Sequence, residues 1–160
     1  MIKLNEIQAK YGEYLVDEDK LKELLVKPKL KTVWDLEKGD TYYFIETNGG
    51  VYSCHWLADK NDLCRIEFGN VFLTEEEAEF ELERRKCEAI MLKYGRRTFK
   101  PRDYNYLIRF DNDDKQAFVD FWRLNQFQGT IYFDTEELAQ KAIDEIGEER
   151  LKKYIFRVEE

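Results

Sequence analysis

The stretch GNVFLTEEEA at residues 69–78 is matched in pattern by GTIYFDTEEL at residues 129–138. In each stretch a glycine is followed by a short apolar run and then by a residue that favours a helix N-cap, Thr74 in the first and Asp134 in the second. An acidic residue follows three positions later, which completes the pattern of a capping box. Each stretch therefore predicts a strand that leads directly into a helix.

Upstream of each stretch the sequence predicts a β-hairpin. Residues 41–56, TYYFIETNGGVYSCHW, have two runs of aromatic and β-branched residues around Asn48-Gly49, a strong hairpin signal. Residues 104–122, YNYLIRFDNDDKQAFVDFW, have two such runs around a polar loop. We therefore predict an α+β fold of two tandem β-β-β-α repeats with antiparallel sheets, preceded by short N-terminal helices. The alternative is that strand-cap-helix patterns recur by chance in α+β proteins.

The predicted repeats divide the chain into four parts. Residues 1–32 form an N-terminal helical segment, with helices expected at LNEIQAKYG and DEDKLKELL, and a basic linker, KPKLK. The first repeat spans residues 33–95, a basic connector spans residues 96–103, and the second repeat spans residues 104–160. The end of the second repeat, GEERLKKYIFRVEE, predicts one more helical turn and a last strand that includes Ile155 and Val158.

Composition indicates a soluble, intracellular protein with a packed core. The 160 residues are 43% hydrophobic and 38% charged, which suits one compact domain or two small modules and excludes a disordered chain. The N-terminus has no apolar run of signal-peptide length, and nowhere do about 18 apolar residues follow one another. Three cysteines without a close CxxC pair suit a reducing compartment. We expect a cytoplasmic protein with no membrane partner.

The sequence contains no recognisable motif for catalysis, metal binding or cofactor binding. His55 is the only histidine, which excludes two-histidine zinc sites. Cys54, His55 and Cys64 could supply three metal ligands, but adjacent residues of a strand point to opposite faces. The acidic loop DNDDKQ lacks the glycine and the terminal glutamate of an EF-hand. We therefore predict no catalytic residue, no metal and no cofactor, and hence a non-enzymatic protein.

The predicted helix after Thr74 begins with a dense run of carboxylates, TEEEAEFELERRK. Acidic residues at a helix N-terminus, with basic residues after them, complement the helix dipole, so helix stability alone explains part of the run. The functional alternative is an anionic surface that imitates a phosphate backbone and binds a basic groove. The candidate partner-binding carboxylates are Glu75, Glu76, Glu79 and Glu83.

The segment KYGRRTFKPR, residues 93–102, lies between the repeats and combines basic residues with two aromatic ones. Arginine can clamp carboxylates or phosphates, and aromatic rings can stack on bases, so this connector could bind a partner protein or single-stranded nucleic acid. The alternative is a solvated linker that neutralises the neighbouring acidic helix. The candidate binding residues are Arg96, Arg97, Lys100 and Arg102.

The net charge and the aromatic content favour a protein partner. A formal charge of −8 argues against a uniformly basic nucleic-acid-binding protein and favours a partner with a basic surface. Ten Tyr, eleven Phe and three Trp exceed what two small sheets can bury, so some are expected at an interface. Core filling is the default for most of them, and the candidates from which some are expected to be exposed are Tyr42, Tyr43, Trp56, Phe121 and Trp122.

Two stretches of the first repeat resemble a known group of proteins. VWDLEKGDTYYFI at residues 33–45 has the pattern W-x-L-x-x-G-D-x-Y-Y, and GNVFLTEEEAEFELERRK at residues 69–86 has the pattern G-N-V-F-x-T-E-E-E-A. Together they are similar to accessory proteins encoded in phages and prophages of Gram-positive bacteria. The resemblance covers mainly residues 33–95 and implies no active site. It implies an inhibitor of a host protein, a class that includes anti-CRISPR and other anti-defence proteins.

Two functional hypotheses follow. In the first, the chain binds and inhibits a host protein with a basic surface, such as a CRISPR effector or another nuclease, through an acidic and aromatic surface in the cytoplasm of a bacterial host cell. In the second, it is a nucleic-acid-binding accessory factor that uses the basic connector. The net charge favours the first over direct nucleic-acid binding. Neither hypothesis predicts an oligomeric state.

Overall fold

The structure, a computed structural model, describes residues 4–12 and 32–158. The chain divides into two units, Met1–Lys31 and Thr32–Glu160, which we describe separately. In the first unit, helix α1 spans Leu4–Tyr11, where the sequence predicts a helix. The second predicted N-terminal helix and the basic linker KPKLK lie outside the described residues.

The first half of the second unit contains a hairpin and a helix. A 3-10 turn at Val33–Asp35 precedes strand β1, Thr41–Ile45, which pairs antiparallel with strand β2, Val51–His55. The predicted hairpin is therefore confirmed. Gly49 has a φ of 79° in the turn, the left-handed conformation that the Asn-Gly pattern predicts. Helix α2, Lys60–Glu67, follows β2 and is not anticipated by the sequence pattern.

The free edge of β1 carries one bridged residue pair before the long helix α3, Glu75–Tyr94. Tyr43 and Phe72 exchange both backbone hydrogen bonds at 2.9 Å. At the next position of this edge, the backbone of Ile45 bonds to the side-chain amide of Asn70, at 2.9 and 3.2 Å. A side chain thus replaces the backbone of the predicted third strand, which is why no strand forms there.

The second half contains a second hairpin and a helix. Strand β3, Asn105–Asp111, pairs antiparallel with strand β4, Gln116–Trp122, and helix α4 spans Glu136–Ile146. On the free edge of β3, Tyr106 exchanges backbone hydrogen bonds with Phe133 at 3.1 and 2.8 Å. The described fold is therefore α+β with two separate two-stranded antiparallel sheets, and the tandem β-β-β-α repeats are not confirmed.

One of the two predicted helix caps is correct. Thr74 caps α3, and its hydroxyl oxygen accepts a 3.2 Å hydrogen bond from the Glu77 amide. The prediction for Asp134 is wrong, because Thr135 caps α4 by accepting a 3.3 Å hydrogen bond from the Leu138 amide. The carboxylate of Asp134 instead binds two cations of the connector, as described below.

The last element within the described residues is a helix, where the sequence predicts a strand. A helical turn at Glu148–Arg150 continues into a π-helical segment at Leu151–Phe156, and we call the two together the C-terminal helix. The predicted strand with Ile155 and Val158 is therefore wrong. Leu151 is fully buried, and Ile155 packs against the same apolar cluster. Residues four apart lie about one turn apart on a helix, close enough to enter one cluster, whereas a strand would separate them.

Two apolar clusters stabilise this unit. The first lies against the first hairpin and consists of Tyr42, Phe44, Trp56, Ile66 and Val71. The second consists of Cys87, Met91, Ile108, Ile131, Phe133, Ala139, Ala142, Ile146 and Leu151. Since Cys87 and Met91 belong to α3, the helix that follows the first hairpin packs its C-terminal half against the second half of the unit. Helix α3 therefore joins two halves whose sheets are too small to be stable alone.

Gly95, which ends α3, is predicted to tolerate no side chain. Its φ of −122° suits any residue, but a Cβ would lie 2.7 Å from Ile131 Cγ2 and 2.8 Å from the Tyr132 carbonyl oxygen. Gly95→Ala is therefore expected to lower the free energy of unfolding by about 1–3 kcal/mol in urea denaturation. Gly129→Ala is the control for steric contact. A Cβ at Gly129 meets open space, so the left-handed φ of 74° alone opposes that substitution. An equal or smaller loss at Gly95 would contradict the prediction.

Candidate functional site

The first turns of α3 carry carboxylates that are free for a partner. Glu75, Glu76 and Glu79 are exposed and form no ion pair within the described part of the chain. Positions three and four apart share a helix surface, so the three carboxylates lie together, and we call them the acidic face. Glu77, in the same turn, is engaged because its carboxylate accepts a 3.0 Å hydrogen bond from the Leu73 amide.

Glu83, the fourth predicted acidic site residue, is engaged inside the fold. Its carboxylate pairs with Lys86 at 2.6 Å and with Arg150 of the C-terminal helix at 2.9 Å. The hydrogen bond from Lys86, together with that from Arg150, holds the pKa of Glu83 below its usual range. Glu83 therefore ties α3 to the C-terminal helix and does not extend the acidic face.

Two of the predicted connector cations bind one carboxylate. Lys100 Nζ and Arg96 Nε lie 2.7 and 2.8 Å from Asp134 Oδ1. The hydrogen bonds from Lys100 and Arg96 hold the pKa of Asp134 below its usual range. A third connector cation, Arg97, pairs with Glu88 of α3. These three cations hold the connector against its neighbours and are not free for a phosphate.

Asn105 holds the connector in place through its side chain, a role that no sequence pattern indicates. Its side chain is fully buried at the start of β3. The amide oxygen accepts hydrogen bonds from the Lys100 backbone at 2.9 Å and from the Arg96 guanidinium at 3.1 Å. The amide nitrogen lies 2.8, 3.0 and 3.2 Å from the carbonyl oxygens of Lys100, Asp103 and Trp122. Asn105 therefore satisfies backbone groups that a connector of irregular structure leaves unpaired.

Arg102, the remaining connector cation, lies beside exposed aromatic rings. It is exposed and forms no ion pair within the described residues, and its carbonyl oxygen accepts a 3.1 Å hydrogen bond from Arg123. The Arg123 guanidinium lies 5.0 Å from the ring centre of Tyr104, which packs 5.1 Å from Phe121. Tyr104 and Phe121 are each nearly half exposed. We call Arg102, Arg123, Tyr104 and Phe121 together the cation-aromatic patch. Its rings can stack on flat groups, and its guanidinium groups can bind anions.

The aromatic candidates divide between the core and the surface. Tyr42 and Trp56 are buried in the first apolar cluster. Tyr43 and Trp122 are half-buried, and Phe121 is exposed. Tyr42 and Trp56 are therefore core residues, because β1 turns Tyr42 toward α2 and Trp56 packs against it edge to face at 5.8 Å.

A groove of about 1380 Å³ adjoins the acidic face. Its apolar floor includes Phe72, Phe80 of α3 and Phe110 of β3. Two further rings support the floor, since Tyr154 packs 5.2 Å from Phe80 and Phe156 packs 5.3 Å from Phe110. The groove therefore lies between α3, the second hairpin and the C-terminal helix, and aromatic packing shapes it.

The rims of the groove carry opposite charges. Glu76 and Glu77 stand on the α3 rim. Lys115, at the hairpin tip, and Lys153 and Arg157, at the C-terminal helix, line the groove from the other two elements. None of these three cations forms an ion pair within the described residues, although Arg157 lies 5.5 Å from the ring centre of Phe80. The arrangement can bind an apolar group flanked by an acid on one side and a base on the other.

A buried network around Tyr42 has a structural role. The Tyr42 hydroxyl donates a 2.6 Å hydrogen bond to Asp62 and accepts one of 2.6 Å from Arg65. Burial, reinforced by the hydrogen bond to Asp62, raises the pKa of Tyr42 well above its ordinary value. Burial alone would raise the pKa of Asp62, but hydrogen bonds from Tyr42 and from the Leu57 and Asp59 amides lower it below its usual range. Neither Tyr42 nor Asp62 lines the groove, so the network stabilises the first hairpin against α2.

The described residues include no group of three or more His, Cys, Asp or Glu side chains placed to hold a metal ion. Cys54 packs against the first apolar cluster, whereas His55 beside it is exposed and lies 3.3 Å from the Thr41 hydroxyl. The two therefore point to opposite faces of the strand, as predicted. Cys54, Cys64 and Cys87 are all unpaired.

The sequence alone does not indicate the groove, because the residues that line the groove come from four separate segments. Phe80 is quoted within the acidic run, and its spacing of four from Glu76 puts both on one side of α3. That spacing is the local signal for an apolar surface beside the acidic one. No comparable signal places Phe110 or Arg157 there, because their proximity depends on how the second hairpin and the C-terminal helix pack.

Comparison of the chain with protein-family models, curated proteins and solved structures gives no significant match. Within the described ranges, each helix is too short or too polar to cross a lipid bilayer.

Proposed function

We propose that the chain is a non-enzymatic phage-type accessory protein that binds and inhibits a host protein with a basic surface. The proposed target is a nucleic-acid-handling defence protein in the bacterial cytoplasm, such as a CRISPR effector or another nuclease. The observation that carries this proposal is the acidic face, in which Glu75, Glu76 and Glu79 are exposed together and form no ion pair with any described residue. The phage context comes from the resemblance at residues 33–45 and 69–86.

Charge supports a protein target with a nucleic-acid groove. A surface that binds phosphates is basic, and adjacent carboxylates can occupy it in place of phosphates. The rest of the chain adds to this effect, because its formal charge is −8. Complementary charge mainly speeds encounter and sets orientation, so aromatic contacts at the same surface must supply part of the affinity.

The nucleic-acid-binding alternative has narrower support. Arg96, Arg97 and Lys100 are held in ion pairs with Asp134 and Glu88. The observation that favours the alternative is the cation-aromatic patch at Arg102, which offers stacking rings and guanidinium groups.

Charge reversal of the acidic face tests the proposal. Changing Glu75, Glu76 and Glu79 together to Lys is expected to weaken capture of a protein partner from host lysate at least about tenfold, because like charges then face each other across the interface. Binding by the wild type is also expected to weaken as salt rises. The measurement is quantitative pull-down followed by titration of the recovered partner.

A matched control makes the same change in charge at separate places. Glu67, Glu136 and Asp113 are exposed on three different elements, and their reversal to Lys should leave partner binding within about twofold of wild type. Equal loss in both variants would show a nonspecific charge effect and contradict the proposal. Recovery of nucleic acid that depends on Arg102 and Arg123 would support the alternative instead.

We further propose that the two halves of the second unit are copies of one β-β-β-α repeat. Both halves have the order hairpin, bridged pair and threonine-capped helix, and in each the first strand of the hairpin carries the bridged pair on its free edge. Helix α2 is the main difference between them. An experimental structure tests the idea by superposition, and different strand orders in the two halves would contradict it.

A further inference from the structure

We propose that the groove beside the acidic face binds an amphipathic helical segment of the partner, with apolar side chains on the aromatic floor and opposite charges on its two flanks. This inference rests on the proposed function and extends it from a charged surface to a defined binding site. The floor of Phe72, Phe80 and Phe110 supplies the apolar contact. Helices commonly bind in such grooves through apolar residues at i, i+3, i+4 and i+7.

The shape of the site favours an inserted segment over a second copy of this chain. A symmetric dimer would place the same surface on both copies, so one groove would face another. Two concave surfaces leave a void and lose the close packing that stabilises an interface. A convex helix fills the groove, whose volume of about 1380 Å³ is large enough for several side chains.

The charges on the rims define the chemistry of the segment. Lys115, Lys153 and Arg157 have no acidic partner within the described residues, so the flank that faces them should carry Asp or Glu. Glu76 on the opposite rim is exposed and unpaired, so the flank that faces α3 should carry Lys or Arg. The other charged groups that line the groove already bond to neighbours in sequence; they are Glu77, Glu81, Glu149 and Lys152. Only a segment with acidic residues on one flank and basic residues on the other satisfies both rims.

Synthetic helical peptides of about 15 residues with an identical leucine face provide the test. One has Glu along one flank and Lys along the other, a second has Lys on both flanks, and a third has Glu on both. Fluorescence polarisation with the full-length chain should show at least about tenfold tighter binding of the segregated peptide than of either other peptide. Tightest binding of the all-Lys or all-Glu peptide would overturn the inference.

Variants of the chain locate the binding. Val158 lines the groove, and Val158→Trp should fill the groove. We therefore expect this variant to bind the segregated peptide at least about tenfold more weakly. Leu124→Trp adds the same bulk at a residue that is 82% exposed outside the groove and should have no effect. Lys153→Glu should weaken binding of the segregated peptide and strengthen binding of the peptide that has Lys on both flanks. Unfolding curves for each variant separate loss of binding from loss of fold.

The outcomes distinguish this inference from the function on which it rests. If no peptide binds, or if the segregated peptide binds wild type and Val158→Trp equally, the groove is not the site and the inference is overturned. In that case reversal of the acidic face still decides the proposed function by its own measurement. If Val158→Trp weakens binding of the lysate partner and reversal of the acidic face does not, the acidic face is rejected, and so is the charged α3 rim, because that rim requires Glu76.

Discussion

Asp62→Ala is expected to lower the free energy of unfolding by about 3–5 kcal/mol, because it removes a buried charge that several groups satisfy. Asp62 is 2% exposed, and its carboxylate accepts hydrogen bonds from the Tyr42 hydroxyl at 2.6 Å and from the Leu57 amide at 2.8 Å. Both donors lose their acceptor in the variant. Urea denaturation followed by tryptophan fluorescence provides the measurement, because Trp56 packs against Tyr42 and contributes to that signal.

Tyr42→Phe is the matched control because it keeps the ring and removes only the hydroxyl. It should cost less than Asp62→Ala, about 1.5–3 kcal/mol, because the Leu57 amide keeps its acceptor. The double variant should be less destabilised than the sum of the two single variants, since they share one hydrogen bond. Strict additivity, or a loss below about 1 kcal/mol for Asp62→Ala, would contradict the network.

The same carboxylate makes stability depend on pH in a defined direction. The pKa of Asp62 is lower in the fold than its ordinary value of about 3.9, so its contribution is fully present above that pH and is lost as the pH falls below it. Asp62→Asn has no such carboxylate, and its difference in unfolding free energy from wild type should therefore shrink below about pH 4. A difference that stays constant from pH 6 to about pH 3 would contradict the assignment.

Local patterns predict those parts of the fold that local chemistry determines. The Asn48-Gly49 turn and the Thr74 cap are each set by residues within a few positions, and the structure confirms both. Helix α2 also has a local signal, since Asp59 and Asp62 form a capping box, but its short sequence is too polar to stand out from a loop. The predicted third strand does not form, because the side chain of Asn70 takes its place on the edge of β1. No local sequence pattern indicates that contact.

The candidate site shows the same division between local and distant causes. The spacing of Glu75, Glu76 and Glu79 on one helix surface can be read from the sequence. The ion pair between Glu83 and Arg150 cannot be read from the sequence, because the two residues lie 67 positions apart. The same limit applies to Asp134. Aspartate is a residue type that favours helix N-caps, but the carboxylate of Asp134 instead binds the connector cations Arg96 and Lys100.

Asn105→Ala is expected to lower the free energy of unfolding by about 3–5 kcal/mol and to release the connector. The substitution leaves the carbonyl oxygens of Lys100, Asp103 and Trp122 without the amide donor that they share, and it removes the acceptor for the Lys100 backbone and the Arg96 guanidinium. Asn105 itself is fully buried and its hydrogen bonds are partly shielded from solvent, so water replaces the lost bonds only in part. Urea denaturation measures the loss of stability, and trypsin cleavage within residues 96–102 measures release of the connector.

Asn112→Ala is the control for this prediction, because Asn112 is exposed at the tip of the second hairpin and should be neutral within about 0.5 kcal/mol. Under conditions in which both variants remain folded, trypsin should cut the connector of Asn105→Ala several times faster than that of the control. Release of Arg96 and Lys100 from their fixed positions would also free cations near Arg102, so the variant should bind single-stranded nucleic acid more tightly than wild type if the second functional hypothesis holds. Unchanged cleavage together with a stability loss below about 1 kcal/mol would mean that the ion pairs to Asp134 hold the connector without Asn105.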